Sequence, residues 1–172
     1  KLEDVKKLIL LRHAKSSWDD PTLEDVDRPL SKRGVYSAKL MRKFIMNKLK
    51  NDITNIYSSP SKRTKSTCDL VFNKNLTINY EKELYTFNFQ DLLNWLKKIK
   101  DDKNTILIVG HNPALLDLIK YLSRKEEIIL MPTCSLCEIH LNIDSWDDIK
   151  KYCGEIHLMQ KVKSLKNYNY KK

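Results

Sequence analysis

The chain has 172 residues, which suits one domain that can bury its own core without disulfides or structural metals. Its 41% hydrophobic and 31% charged residues exclude an intrinsically disordered protein. No apolar run approaches the roughly 18 residues that a membrane span needs, so we expect no membrane partner.

The formal net charge of +10 is unevenly distributed, because residues 161–172 carry five lysines and no acid. We therefore predict a single domain at residues 1–160, followed by a basic, frayed tail at residues 161–172. No aromatic-rich basic platform accompanies this charge, and we expect no nucleic-acid partner. The basic residues are 26 Lys and 6 Arg, so each Arg is a candidate for bidentate binding of phosphate or carboxylate.

Short apolar runs alternate with stretches in which apolar residues recur every three or four positions. In chain order we predict a strand at Lys7–Leu11, a helix at Lys32–Lys50, a strand at Asn55–Tyr57, a helix at Lys62–Asn73, a strand at Thr77–Tyr80, a helix at Phe89–Lys100, a strand at Thr105–Val109, a helix from Pro113 to Ser123, and late strands at Cys134–Leu141 and Cys153–Met159. This alternation predicts an α/β fold, a three-layer α/β/α sandwich around a mostly parallel sheet.

Three of the helices have recognisable N-cap residues. Ser31 and Ser61 precede the first and second helices, and a serine hydroxyl can accept a hydrogen bond from a first-turn amide. For the last helix we predict Asn112 as the N-cap and Pro113 as the first helical residue.

The four cysteines are predicted to be buried, reduced thiols. Cys134 and Cys137 have the spacing of a redox or zinc pair, but they fall in a predicted strand, where residues three apart face opposite sides. Reduced thiols favour a reducing compartment, which we take to be the cytoplasm. An organelle stays open, because the sequence begins without Met and a targeting segment can have been removed.

Chemically distinctive residues follow three of the predicted strands. Arg12 and His13 end the first strand, Arg63 follows the second, and His111 follows the strand at Thr105–Val109. Because ligands bind beyond the carboxyl ends of such strands, we expect these side chains to meet at one edge of the sheet. Each signal alone is more often structural than catalytic. Together, two guanidinium groups and two imidazoles predict a phosphate pocket in which an imidazole can attack phosphorus.

The same residues carry a family resemblance. The segments Leu10–Trp18 and Asp27–Gly34 resemble the amino-terminal signature of SixA-type phosphohistidine phosphatases, members of the histidine phosphatase (phosphoglycerate mutase-like) superfamily. Ser58–Thr64 is similar to the second arginine motif of that superfamily, and Val109–Pro113 is similar to its second histidine motif. The resemblance spans about residues 7–122. It implies a phosphoglycerate mutase-like fold with little or no cap insertion.

The resemblance also implies roles for individual residues. His13 would be the nucleophile that becomes phosphorylated, and Arg12, Arg63 and His111 would hold the phosphoryl group. Lys15 could add positive charge nearby. The resemblance implies neither a metal nor another cofactor, because the two arginines and His111 supply the positive charge.

A carboxylic acid should protonate the leaving group, and the resemblance implies Glu83 by its position after the third strand. Glu81 and Asp25 stay possible. Asp19 is excluded from the pocket, because an ionised carboxylate cannot donate a hydrogen bond to phosphate. The acidic loop at residues 19–27 is expected to be either a solvated loop or a screen beside the pocket that repels highly anionic metabolites or receives a basic partner.

We therefore expect a metal-independent phosphatase that works through a covalent phosphohistidine, with phosphohistidine in proteins as substrate. The short segment of residues 81–104 has room for only one helix, and an open pocket suits such a bulky substrate. Two alternatives stay open: a phosphomonoesterase of small molecules with the same pocket, and a non-catalytic phosphate-binding module. The oligomeric state is not predicted.

Overall fold

The computed structural model of the protein describes residues 6–125 and 130–166. Its strands are β1 (Lys6–Arg12), β2 (Ile56–Ser58), β3 (Ile78–Tyr80), β4 (Thr105–Gly110), β5 (Leu136–Leu141) and β6 (Gly154–Gln160). Its helices are α1 (Lys32–Lys48), α2 (Lys62–Val71), α3 (Phe89–Leu96) and α4 (Ala114–Leu122). Short 3₁₀ helices lie at Asp25–Asp27, Lys82–Leu84, Trp146–Asp148 and Val162–Leu165.

The six strands form one sheet in the order β3-β2-β4-β1-β5-β6. Strands β1 to β4 run parallel, whereas β5 is antiparallel to β1 and to β6. The two central strands read as continuous apolar runs, Leu8–Leu11 and Ile106–Val109, and both runs are buried. Strands that are covered on both faces need such runs. The sheet is therefore mostly parallel, as predicted, and β1, β2 and β4 end at one edge.

Two helical layers cover the sheet. Alternate residues of β1 face them in turn: Leu8 and Leu10 belong to the core beneath α3 and α4, and Ile9 and Leu11 to the core beneath α1 and α2. The predicted three-layer α/β/α sandwich is confirmed. Helix α3 packs beside α4 in its layer.

The helix starts agree with the sequence at two places and differ at the third. Ser31 Oγ accepts from Gly34 N at 3.0 Å, and Ser61 Oγ accepts from Thr64 N at 3.3 Å. Helix α4 begins at Ala114, so Pro113 and not Asn112 occupies the N-cap. Asn112 still caps an amide of the first helical turn, since its Oδ1 accepts a hydrogen bond from Leu116 N at 3.2 Å.

Other predicted boundaries shift by a few residues. Helix α3 ends at Leu96 and not at Lys100, because the amides of Lys98 and Ile99 bond to carbonyls only three residues back. Strand β5 begins at Leu136, two residues later than predicted, since Ser135 N closes a turn onto the Pro132 carbonyl at 3.1 Å. All four cysteines are buried and free.

The end of the domain lies further along the chain than we expected. We expected a frayed tail from residue 161, but the Val162–Leu165 turn packs against α1 and buries both of its apolar residues. The rest of the predicted tail, 167–172, lies outside the described residues. Within the described part of the chain, no helix is both long and apolar enough to cross a membrane.

Candidate active site

The four residues singled out at the strand ends lie together. The rings of His13 and His111 have centroids 5.3 Å apart, and Arg63 Nη2 lies 3.2 Å from His111 Nδ1. Arg12, His13 and Arg63 line a pocket of about 930 Å³ at this edge of the sheet. The prediction that separated sequence motifs meet at one site therefore holds geometrically.

The sheet register explains how the two histidines meet. Arg12 is the register partner of Gly110, so the next residues, His13 and His111, leave β1 and β4 at the same height. The His13 amide then donates to the Gly110 carbonyl at 3.1 Å, which extends the ladder by one bond. Arg63 reaches the same place from the first turn of α2, which starts directly after β2.

Gly34 holds the loop after β1 in place. A Cβ atom at this position would lie 2.1 Å from the Lys15 carbonyl oxygen, so only glycine permits this close approach of backbone to backbone. The same carbonyl accepts from Ser31 N at 2.9 Å. The loop that carries Lys15 is thereby fixed against the start of α1.

The surroundings of His13 determine its tautomer and its protonation state. Its Nδ1 lies 2.7 Å from the Ala14 carbonyl oxygen, and a carbonyl can only accept, so Nδ1 carries the proton. Nε2 consequently holds a lone pair. Burial is the largest cause that lowers the pKa of His13, and the charges of Arg63, Arg12 and Arg28 act in the same direction; against the opposing effect of the Ala14 carbonyl, they bring this pKa to about 4. The ring is therefore neutral near pH 7 and its lone pair is available.

The tautomer of His111 is fixed by its two neighbours. A guanidinium can only donate, so Nδ1 accepts from Arg63 Nη2, and Nε2–H donates to Ser59 Oγ at 2.7 Å. Burial, together with the charge of Arg63, lowers the pKa of His111 to about 3. A phosphoryl dianion beside this ring would favour its protonation, which would turn Nδ1 into a donor.

The two arginines offer buried donors. Arg12 Nη1 donates to the Met131 carbonyl at 2.9 Å, which holds its side chain in the pocket wall. The Nε atoms of Arg12 and Arg63 are buried, and neither has a hydrogen-bond partner among the described residues. Burial and the charge of Arg63 lower the pKa of Arg12. Two desolvated guanidinium groups at one place suit an oxyanion that accepts from both.

Asp25 is the carboxylate of this site. Its Oδ2 accepts from Arg63 Nη2 at 2.9 Å and from the Tyr85 hydroxyl, and its Oδ1 accepts from Arg28 Nη1 at 3.3 Å. The Asp25 carbonyl also accepts from Arg63 Nη1 at 2.6 Å. Burial acts to raise the pKa of Asp25, but the hydrogen bonds from Tyr85 and Arg63 outweigh it and hold that pKa below its ordinary value. Asp25 is therefore ionised at neutral pH.

The other predicted site residues lie at varying distances from this centre. Lys15 is exposed at the rim of the pocket. Glu83 is exposed on the Lys82–Leu84 turn, and neither Glu83 nor Glu81 is among the residues that line the pocket. The structure thus places Asp25, and not Glu83, beside the arginines. Asp19 also lies outside the pocket lining.

Sequence reasoning missed most of the pocket rim. Eight basic side chains and one acid, Asp25, line the described pocket. The basic residues are Arg12, Lys15, Arg28, Arg33, Arg63, Lys161, Lys163 and Lys166. Four of the six arginines are among them, so the rarity of Arg in this Lys-rich chain was a signal for Arg28 and Arg33 too. No sequence signal connected the lysines of residues 161–166 to this site.

Aromatic residues complete the mouth of the pocket. Trp18 is 74% exposed, and the Arg28 guanidinium stacks 3.2 Å from the centre of its ring. Phe87 also lines the pocket, with its ring centroid 5.7 Å from that of His111. A basic pocket with apolar walls at its mouth suits a phosphorylated group attached to a larger body.

The fold and the site together define a phosphate-handling α/β enzyme, and comparison with known proteins agrees. The model of the histidine phosphatase superfamily (branch 1) matches residues 8–95. An uncharacterized chloroplastic protein of Arabidopsis thaliana is 31% identical over 155 residues, which are 83% of this chain and 70% of that protein. The chain belongs to the histidine phosphatase superfamily, and it is a phosphatase.

More distant relatives agree with this assignment. A candidate 2-carboxy-D-arabinitol-1-phosphatase of Arabidopsis thaliana is 23% identical over 129 residues, and the match spans 66% of this chain but only 26% of that protein. A candidate SixA phosphohistidine phosphatase of Nakamurella multipartitia has a TM-score of 0.78, with 22% identity over 91% of this chain and 96% of its own. The protein histidine phosphatase SixA in complex with tungstate has a TM-score of 0.76, with 19% identity over 93% of this chain and 99% of its own. The chain therefore has the SixA fold, as the sequence predicted.

Proposed function

We propose that the protein is a metal-independent phosphatase that forms a covalent phosphohistidine on His13 and acts on phosphohistidine in proteins. The observation that carries this proposal is the state of His13: it is neutral, its tautomer is fixed by the Ala14 carbonyl, and two arginines, the buried Arg63 and the half-buried Arg12, lie beside it. A neutral imidazole beside an oxyanion site is the arrangement that nucleophilic attack on phosphorus requires.

In the first step the His13 Nε2 lone pair attacks phosphorus, and the bond from phosphorus to the leaving nitrogen breaks with its electron pair going to that nitrogen. Arg12 and Arg63 stabilise the charge on the equatorial oxygens. His111 adds a hydrogen bond once the phosphoryl dianion has favoured its protonation. The substrate ring takes a proton from solvent on its other nitrogen, so it leaves as a neutral imidazole, and the product on the enzyme is His13 phosphorylated at Nε2 with its proton still on Nδ1.

In the second step water attacks the phosphohistidine. Asp25, ionised and hydrogen-bonded at the pocket wall, accepts the proton of that water as the new phosphorus–oxygen bond forms. The phosphorus–nitrogen bond breaks, its electron pair returns to His13 Nε2, and inorganic phosphate leaves. Asp25 releases the proton to solvent, and His13, which has kept its Nδ1 proton, is neutral and ready for the next cycle.

The charge state of Asp25 favours phosphohistidine over phosphate esters as substrate. An alkoxide leaving group needs a proton donor, and Asp25, the one carboxylate among the pocket-lining residues of the described chain, is held ionised. An imidazole leaving group has a much weaker need for a proton, because the phosphorus–nitrogen bond is intrinsically labile. We therefore assign Asp25 the role of base and give Glu83, the acid expected from sequence, no role in this cycle.

The basic rim favours a second candidate, a phosphomonoesterase of small anionic metabolites. Eight positive side chains around one pocket attract a substrate that carries charge beyond its phosphate, such as a carboxylated sugar phosphate. In that case Tyr85, whose hydroxyl donates to Asp25, is the nearest described group that could supply a proton through the carboxylate.

A substrate panel tests the proposal against this second candidate. The panel holds a phosphohistidine-bearing protein, its phosphohistidine peptide, and small sugar phosphates with and without a carboxylate, each assayed with and without a metal chelator. We expect kcat/KM for the phosphohistidine substrates to be at least about 100-fold higher, a difference in barrier of roughly 3 kcal/mol, and to be unaffected by chelation. A preference for a sugar phosphate would replace this proposal with the second candidate, and a rate lost on chelation would refute metal independence.

We further propose a reducing compartment, since all four thiols are free and buried. The cytoplasm and an organelle both satisfy this condition, and the chloroplastic relative supports the organelle. Imaging of the tagged full-length protein in its native cell decides between the two compartments.

A further inference from the structure

A second group of chemically active side chains lies far from the phosphate pocket. Glu138 and His140 are two residues apart on β5, and His157 lies on the neighbouring strand β6. Their register partners on β1 are Ile9 for Glu138 and Lys7 for His140, towards the start of that strand. Lys7 is five residues from Arg12, so the cluster lies about 15 Å from the active-site edge.

A β-bulge brings His157 into this group. Glu138 pairs with Leu158, and the next pair is Ile139 with Ile156, so His157 is an extra residue on β6 without a register partner. A bulge redirects a side chain that strict alternation would point elsewhere. Here it stacks the His157 ring on the His140 ring, with the centroids 4.2 Å apart and the planes 14° from parallel.

Both imidazoles converge on one carboxylate oxygen. Glu138 Oε2 lies 2.9 Å from His140 Nε2 and 3.6 Å from His157 Nε2. Glu138 is only 4% exposed, so its carboxylate requires partners, and the described structure offers it these two rings. A buried carboxylate with two ring nitrogens beside it offers three ligand atoms to a metal ion, which an ordinary surface ion pair does not.

The spacing of the three ligand atoms fits a small divalent cation. All three lie within 4.8 Å of one another. Bonds of about 2.1 Å from zinc to imidazole nitrogen and carboxylate oxygen place tetrahedral ligand atoms about 3.4 Å apart, so small side-chain rotations suffice. Two imidazoles and one carboxylate are also the donor types that zinc accepts.

We propose that Glu138, His140 and His157 form a zinc-binding site that joins the edge strand β6 to β5. The site opens onto a cavity of about 300 Å³, which Lys7 and Asp52 also line. His157 is 62% exposed, so the ion can enter from solvent and keep a water ligand. Lys48 lines this cavity as well, and Asp52, which pairs with Lys7 at 3.7 Å, offsets one of the two lysine charges that oppose a cation.

The experiment uses the full chain and zinc chloride as the probe, with binding followed by calorimetry and by thermal unfolding. The chain has four histidines, and two of them, His13 and His111, belong to the active site. The design therefore compares the wild type with His157→Gln and with the double variant His13→Ala/His111→Ala. His157→Gln changes a mostly exposed side chain, so it should fold normally.

We expect one zinc ion per chain in the wild type and in the active-site double variant, with a higher Tm in the presence of zinc. In His157→Gln the affinity should fall at least tenfold and the zinc-dependent rise in Tm should disappear. Unchanged affinity in His157→Gln, loss of binding in the active-site variant, or no binding to the wild type would each overturn the proposal. Cobalt(II) gives a second readout, because its visible bands should show tetrahedral nitrogen and oxygen ligation that is lost in His157→Gln.

Discussion

The protein places its four histidines in two pairs, and the pairs differ in almost every respect. His13 and His111 are buried among arginines, with tilted rings 5.3 Å apart. His140 and His157 are stacked at 4.2 Å beside a buried carboxylate and open to solvent. The first pair lies beyond the ends of parallel strands, and the second pair lies across an antiparallel strand pair at the other end of the sheet.

The neighbours of an imidazole determine its chemistry. Burial, together with the positive charge of the arginines, holds His13 neutral, so it keeps the lone pair that the proposed attack on phosphorus needs. Guanidinium groups beside it bind anions and repel cations. The second pair lies beside the carboxylate of Glu138, whose negative charge attracts a cation to the ring nitrogens. One pair is therefore suited to phosphate and the other to a metal ion.

The largest expected difference is between alanine substitutions of one histidine from each pair. His13→Ala should lower kcat by at least about 10³-fold, because no other group can accept the phosphoryl group. His157→Ala should leave kcat at the wild-type value, since its ring lies at the far end of the sheet. Steady-state hydrolysis of a phosphohistidine peptide measures both. Comparable losses in the two variants would show that the pairs are not independent.

Substitution of Arg63 should have the next largest effect on kcat. Arg63→Lys keeps the charge but loses the paired donors, and we expect kcat to fall about 10²-fold, the usual cost of one oxyanion donor. Arg42→Lys is the matched control, because Arg42 Nη1 donates to the Phe72 carbonyl at 2.9 Å, outside the pocket lining. If the two variants have the same rate, Arg63 does not bind the phosphoryl group.

Two carboxylates can be compared in the same way. Asp25→Asn removes the proposed base and should lower the hydrolysis of phosphorylated His13 by about 10²-fold, so that the phosphoenzyme accumulates. Glu83→Gln should behave like the wild type, because Glu83 lies outside the pocket lining. Rapid-quench measurement of the phosphoenzyme level gives the answer. Accumulation in Glu83→Gln and not in Asp25→Asn would restore the role first expected for Glu83.

The smallest expected effect is on the pH profile. Because the pKa of His13 is lowered to about 4, kcat/KM should stay within about twofold between pH 7 and 5.5 and fall only as the pH approaches 4. The free energy of unfolding should decline earlier, from about pH 6.5 downwards. In the unfolded chain both histidines bind protons at this pH, whereas in the folded protein the lowered pKa values of His13 and His111 keep them neutral. Half of the activity lost already at pH 6.5 would mean that His13 has an ordinary pKa.

The meeting of the active-site histidines could be predicted from the sequence, because it depends on the topology of the sheet. Residues that follow parallel strands meet at one edge whatever the details of packing, so Arg12, His13 and His111 could be placed together. Apolar periodicity likewise predicted the helices on both faces. The last residues of α3 and the first of β5 were misjudged, since single turns there are decided by local hydrogen bonds that periodicity does not report.

The remaining site residues depend on contacts that sequence does not encode locally. Asp25 was one of three candidate acids, and only the folded loop places its carboxylate on Arg63. The basic segment of residues 161–166 looked frayed, yet two buried apolar residues, Val162 and Leu165, hold its lysines at the pocket. The second histidine pair depends on a one-residue bulge, which no alternation pattern predicts.

Trapping and mapping the phosphoenzyme tests directly whether His13 carries the phosphoryl group. Wild-type protein mixed with a labelled phosphohistidine donor and quenched in alkali should carry one acid-labile, alkali-stable phosphoryl group, and peptide mapping should place it on His13. His13→Ala should carry none. Turnover without a covalent intermediate, or a phosphoryl group on any other residue, would contradict the account.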